Sequence, residues 1–260
     1  MRVVTAILSC VVVLAGCGGG GSQTSAIPAA TRAPATAASS AAPTIGPSTA
    51  ARRCPNPEVG TGNDCLGPIA AGSYSTTRFS PAITYTVPDG WSNLEDMEGN
   101  FLLLPPGSQL DGVNTGTSDY LGVYTWVVAP EHCSGRYNPD VERTFDGLVG
   151  WLEANPAVTL SNTHDVTVGG LDGVAMDIAL KDPAGDGCSD GTYADVYVGA
   201  NPTSLVHAVD RDYPLRIYLL RNGDKALAVE LADAPDGGSD YADWFGSAKQ
   251  VVDSLDFASS

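Results

Sequence analysis

An α+β domain, a mainly antiparallel sheet with two principal helices packed on it, is the fold class predicted for residues 54–260. Three observations predict it. Strand-like runs follow one another through short connections, and parallel neighbours would need crossovers of a dozen or more residues. Helical spacing occurs in two stretches far apart in the chain. One central run, Tyr120–Val128, is apolar on both faces, as a strand covered on both sides must be. Helices laid on a sheet satisfy all three.

The elements follow in order. Ile83-Thr84-Tyr85-Thr86-Val87 alternates with strand periodicity and is stopped by the turn signal Pro88-Asp89-Gly90. Phe101–Leu104 is a short apolar run ended by Pro105-Pro106. In Tyr120–Val128, Leu121, Val123 and Val127 are expected on one face, and Tyr124, Trp126 and Val128 on the other. The period then changes: Phe145, Leu148, Val149 and Leu152 recur at i, i+3, i+4 and i+7, an amphipathic helix closed by Asn155-Pro156. Trp151 stands off that apolar stripe, where a loop folding over it is the expected explanation and a ligand groove or a second packing surface are the alternatives. Strand-like runs resume at Asp165–Val168, Val174–Leu180, Tyr193–Val198, Leu205–Val209, Leu215–Leu220 and Ala226–Leu231. The first two are linked by the hairpin-like turn Gly169-Gly170-Leu171-Asp172-Gly173. A second helix starts at Ser239 or Asp240, with Tyr241, Trp244, Phe245, Ala248 and Val252 on one face and Leu255 one turn later. The four tryptophans and ten tyrosines suit core and sheet-face packing.

Ahead of this domain lies a different kind of sequence. Arg2, an apolar run Val3–Leu14 and small residues make a secretory signal, the run being too short to span a membrane. Leu14-Ala15-Gly16-Cys17 resembles the lipobox of bacterial lipoproteins: Leu, a small residue, Ala or Gly, then Cys. The resemblance implies removal of residues 1–16 as a signal peptide and acylation of Cys17 as the new N-terminus. Attachment by at least two acyl chains is strong, since each buried methylene contributes about 0.8 kcal/mol. Residues 17–53 are then the lipidated N-terminus and an Ala/Ser/Thr/Pro linker that cannot bury enough surface to order itself. As a flexible coil the linker would span ~30–36 Å on average and ~120 Å stretched. The expected location is the extracytoplasmic face of a cell membrane, held by the lipid.

Charge is distributed unevenly. Residues 1–53 contain no Asp or Glu, whereas 54–260 carry all 30 acidic residues and nine of the 13 basic ones, a formal charge of −21. Such a field repels nucleic acid and anionic headgroups and favours cations or basic partners. Cysteine usage agrees with export. With Cys10 in the signal and Cys17 on the lipid, Cys54, Cys65, Cys133 and Cys188 remain, an even number that allows three pairings. Cys54–Cys65 and Cys133–Cys188 are favoured, the first closing a tight Pro/Gly/Asn-rich loop and the second joining two polar loops. A zinc site of His132, Cys133 and Cys188 is the competing arrangement, against which the spacing lacks a close ligand pair.

A second resemblance concerns the domain. The strand and turn Tyr85-Thr86-Val87-Pro88-Asp89-Gly90-Trp91, a helix, a meander and a closing helix ending Val251-Val252-Asp253-Ser254-Leu255 look like the PsbP-like fold, an α/β/α sandwich. LpqN-type mycobacterial lipoproteins share that fold, and an excess of Arg over Lys with abundant Ala, Gly, Pro and Asp suits an actinobacterial chain. The resemblance brings no catalytic residues with it.

Motifs for catalysis and cofactors are missing. The sequence has no Ser-x-x-Lys, His-Glu-x-x-His, Cys-x-x-Cys, phosphate loop or dinucleotide fingerprint, and its one Gly-x-Ser-x-Gly string, Gly187-Cys188-Ser189-Asp190-Gly191, falls in the polar loop Lys181–Gly191 and not at a strand-to-helix turn. No catalytic residue and no cofactor are therefore expected. His132 and His164 read as surface residues, and His207 as a partly buried strand histidine, with a general base oriented by Asp210 as its functional alternative. Asp182, Asp186 and Asp190 lie in one Gly-rich loop and Asp233, Asp236 and Asp240 in another. Asp-rich loops can ligate calcium, but neither has EF-hand spacing, and Asp240 equally suits a helix N-cap. The expected function is a non-enzymatic binding or accessory role in the cell envelope. The partner would be an envelope protein, a wall component or an amphiphile. An extracytoplasmic hydrolase without a recognisable motif, or a divalent-cation-binding domain, are the alternatives.

Overall fold

A ten-stranded antiparallel sheet gives the molecule its frame, and its two faces are covered differently. The structure, a computed structural model, describes residues 52–53, 67–108, 112–113, 117–181, 186–199, 205–234 and 241–258, all within the unit Ser48–Ser260. The signal peptide, most of the linker, Cys17, Cys54, Cys65, Asp182, Asp236 and Asp240 lie outside the described residues.

Fourteen strands and two helices are described. The strands are β1 (Arg52–Arg53), β2 (Gly67–Pro68), β3 (Gly72–Ser75), β4 (Ile83–Val87), β5 (Ser92–Asp96), β6 (Asn100–Leu104) and β7 (Tyr120–Val128). They continue as β8 (Val158–Val168), β9 (Leu171–Leu180), β10 (Tyr193–Gly199), β11 (Val206–Asp210), β12 (Leu215–Asn222), β13 (Lys225–Ala232) and β14 (Asp256–Phe257). The helices are α1 (Phe145–Ala154) and α2 (Tyr241–Val252). The large sheet runs β2-β5-β6-β7-β13-β12-β9-β8, with β10 joined to the far end of β7 and β11 to β10. A small sheet, β1-β3-β4-β14, stands apart, with β1–β3 its parallel pair. This is the expected α+β class.

One face of the large sheet packs against α2 and the small sheet through Tyr85, Trp91, Phe101, Leu121, Val123 and Leu227. Trp244 of α2 brings its ring to 5.9 Å from that of Trp91, and Ala248, Val251 and Val252 complete the buried stripe. The other face packs against α1 and the β10–β11 pair through Leu102, Met176, Ile178, Ile217 and Leu219. Helix α1 begins at an N-cap, Thr144, whose hydroxyl accepts from the Gly147 amide at 3.1 Å. Phe145, Leu148 and Leu152 are buried, and Trp151 packs half-buried on the same cluster as a second packing surface. Burying both sheet faces explains why β7 and β13 read as near-continuous apolar runs.

Several expectations change in the structure. β8 starts at Val158, seven residues before Asp165, because its polar, exposed edge carries no apolar alternation. A bulge between Ser161 and His164 also resets its register. The hairpin to β9 tightens to Gly169-Gly170, flanked by the pair Val168–Leu171, with φ of 57° and 80° that glycine adopts without strain. Tyr124, Trp126 and Val128 do not share one face. Trp126 is the extra residue of a bulge opposite β13, at φ 50° and 39% exposed, with Lys225 Nζ 4.2 Å from its ring centroid. Beyond it the side-chain parity flips, and Val127 packs in the cluster that holds Tyr124, not with Leu121 and Val123.

Candidate functional site

A polar centre is built into the second face where β7, β13, β10 and β11 meet. In β7, Tyr120, Gly122 and Tyr124 point to this face; across the ladder stand Ala232, Glu230 and Ala228 respectively. Large side chains on one strand therefore face small ones on the other, and Glu230 has only Gly122 opposite. Gly122 is required for this: a Cβ there would collide with Tyr124 Oη and its ring. The bare glycine lets the Tyr124 ring lie back along its own strand.

Glu230 is fully buried. Its Oε1 accepts the Tyr120 hydroxyl, and its Oε2 accepts the Tyr197 hydroxyl and faces His207 Nδ1 at 3.0 Å. The side chains of Tyr124 and Tyr213 also interact with the Tyr120 hydroxyl. His207 stacks on Tyr197, centroids 4.3 Å apart and 17° between planes, and meets Tyr124 edge-on at 4.2 Å. Burial pushes the Glu230 carboxyl up, but the facing His207 and the hydrogen bonds from it and the two tyrosines outweigh that and hold the group below the usual carboxylate range. Burial, then the Glu230 charge, raises Tyr120, Tyr124, Tyr197 and Tyr213, so these hydroxyls stay protonated donors.

Above this centre opens a recess of about 380 Å³. His207, Tyr124, Tyr213 and Glu230 form its polar side, and Leu94, Leu102 and Val206 line its apolar side. Glu95 joins them through a bulge: Asn93 pairs with Leu103 and Glu95 with Leu102, so Leu94 is an extra residue. Strict alternation would have put Glu95 on the opposite face. Instead Asp96 turns there, accepting the Thr77 and Phe79 amides at 2.6 and 2.9 Å. Glu95 Oε2 is buried without a hydrogen-bond partner among the described residues, and burial raises its carboxyl. A further bulge, at Val196, turns Tyr197 inward beside it and sets Tyr197 opposite His207. Chemically, the site offers a carboxylate-oriented imidazole, tyrosine donors and one carboxylate oxygen seeking a donor.

The structure redistributes the residues named from sequence. His207 sits in the site, but its partner is Glu230; the Asp210 carboxylate instead caps its own turn, accepting the Asp212 amide at 2.9 Å. His164 is exposed and its Nδ1 is 2.6 Å from the Asn162 carbonyl oxygen. Cys133 and Cys188 form a disulfide, with Cα atoms 5.5 Å apart. His132 Nε2 lies 3.3 Å from Cys133 Sγ, and the three ligand atoms fall within 4.8 Å. Both sulfurs are spent on each other, however, so the trio does not offer the thiolates a zinc site needs. Asp186 and Asp190 are exposed beside Cys188, and Asp233 is half-buried at the end of β13. Glu95, Glu230 and the four site tyrosines were not singled out from the sequence. The Tyr-x-Gly-x-Tyr of β7 and the acidic residue inside the apolar run Ala226–Ala232 are the sequence signals for Tyr120, Tyr124 and Glu230; Glu95, Tyr197 and Tyr213 carry none.

No family model matches the chain, and no curated protein does. Among solved structures, the solution structure of cyanobacterial PsbP from Synechocystis sp. PCC 6803 is 15% identical. That match covers 74% of this chain and 96% of that one at a TM-score of 0.35. A 1.50 Å crystal structure from Bacteroides thetaiotaomicron VPI-5482 is also 15% identical, over 68% of this chain, at a TM-score of 0.33. This chain covers 46% of that protein's length. At such overlaps neither likeness carries an argument about this protein. The class rests on its own sheet: an α+β protein with a polar recess on one sheet face. Among the described residues no helix is long and apolar enough to cross a membrane.

Proposed function

We propose that this chain is a bacterial lipoprotein, actinobacterial in character, tethered through Cys17 to the outer face of the cell membrane, and that its domain binds a small ligand in the recess over Glu230. Leu14-Ala15-Gly16-Cys17 and the Ala/Ser/Thr/Pro linker support the tether. One observation carries the binding role. Glu230 is a fully buried carboxylate held by side chains from three other strands, at the foot of a recess. Burying an ion costs several kcal/mol, and an apolar residue of similar volume often serves stability as well or better. A preorganised polar floor is of use to a ligand; the one Gly-x-Ser-x-Gly string, Gly187–Gly191, runs on into strand β10 and not into the helix a nucleophile elbow requires, which favours binding over turnover.

Two measurements test this reading. Cys17→Ser should move the protein from the membrane to the soluble fraction and remove the acyl mass from its N-terminal peptide; unchanged partitioning rejects the tether. Val206→Trp, on the half-exposed rim, should abolish the thermal shift that small-molecule screening produces in the parent protein.

The His207–Glu230 pair favours a second reading. A carboxylate on Nδ1 orients a histidine as a general base, the arrangement of hydrolytic triads. An extracytoplasmic hydrolase would then lose activity in both His207→Gln and Glu230→Gln. Equal turnover in either variant removes that reading.

A further inference from the structure

We infer that the recess over Glu230 takes an organic cation: an ammonium group with an apolar body, its charge placed beside Glu95 and against the tyrosine rings. This inference rests on the proposed binding role of the same recess and adds the chemical class of the occupant.

Charge decides the class. Glu95 and Glu230 line the recess with one imidazole, and no Lys or Arg is among the described residues that line it. Glu230 is already committed to Tyr120, Tyr197 and His207. Glu95 is not: its Oε2 is buried and unpaired among the described residues. A buried carboxylate oxygen without a donor costs about 1–3 kcal/mol or more, and the Leu94 bulge places Glu95 on this face at that cost. A cation recovers the loss, whereas an anion would meet two carboxylates. A chain with formal charge −17 also attracts cations and repels anions at a distance.

Shape and surface select an organic cation over a bare ion. Tyr120, Tyr124 and Tyr213 line the recess, and aromatic rings attract ammonium groups through their electron-rich faces. Leu94, Leu102 and Val206 supply an apolar wall that a hydrated metal ion would leave unused. Calcium asks for six to eight oxygen ligands. The carboxylates here number two, and one of them is fully hydrogen-bonded.

The test uses the full chain and three probes with a six-carbon chain: hexyltrimethylammonium, its neutral isostere in which carbon replaces the charged nitrogen, and hexanoate. Calorimetry should show the ammonium probe binding about tenfold or more tighter than the neutral one, with hexanoate weakest. Glu95→Gln should erase the preference for the cation while retaining the neutral probe. Equal or tighter binding of the neutral probe or hexanoate by the unmodified chain overturns the cation inference and leaves the recess reading standing. Failure of all three probes, with no difference between the parent chain and Val206→Trp, overturns both.

Discussion

His207 Nδ1 stands 3.0 Å from Glu230 Oε2, although β11 and β13 are not neighbours in the sheet. The contact spans the layer between the β10–β11 pair and the rest of the sheet, so it joins two strands, β11 and β13, that no backbone ladder connects directly. Breaking a buried pair from one side leaves an uncompensated group, at about 3–5 kcal/mol. Glu230→Ala should therefore lower Tm by roughly 6–20 °C for a domain of this size, measured by calorimetry.

The same pair sets an acid response. The folded Glu230 lies below its ordinary value, which is about 4.3 unfolded. Its contribution is then fully present above that unfolded value and is lost as pH falls through the folded one. Tm measured from pH 6 down to pH 2 should drop less steeply in Glu230→Gln than in the parent chain. Parallel profiles would contradict the assignment.

Gly122→Ala tests the geometry beneath the recess. The added methyl would overlap the Tyr124 ring and push it off its own strand. A cost of ~1–3 kcal/mol is expected from overpacking, together with loss of recess binding. Thermal melts and the probe titration read the two effects separately.

On the opposite face, Arg216 and Asp177 are cross-strand partners joined by two hydrogen bonds, the Nη2–Oδ2 one at 2.6 Å. The guanidinium also lies 4.0 Å from the ring centroid of Phe245 on α2. Lysine keeps the charge but neither the fork nor the planar stack. Arg216→Lys should cost about 1–2 kcal/mol by denaturant titration, with the m-value unchanged.

The Cys133–Cys188 disulfide spans 55 residues. On the chain-entropy model such a loop is worth ~4 kcal/mol. The double variant Cys133→Ser/Cys188→Ser should lose about 2–4 kcal/mol relative to the parent by denaturant titration.

The sequence by itself determined most of the strands, the two helices and the class. Period-two alternation in Ile83–Val87 and the i, i+3, i+4, i+7 stripe of Phe145–Leu152 are local signals, and local backbone geometry obeyed them. Weakly patterned pieces escaped it: Ser92–Asp96 has no alternation to detect, and Val158–His164 is polar along an exposed edge. The site depended on something else. Leu94, Trp126 and Val196 are each one residue too many for their partner strand, and each bulge reverses which face every later side chain takes. The Leu94 and Val196 bulges turn Glu95 and Tyr197 to the His207 side, and the close approach of β11 to β13 replaces the nearby Asp210 with the distant Glu230. Alternation along one strand cannot announce an extra residue whose only evidence is the register of its neighbour, so the sequence determined the sheet and the tertiary structure decided the site.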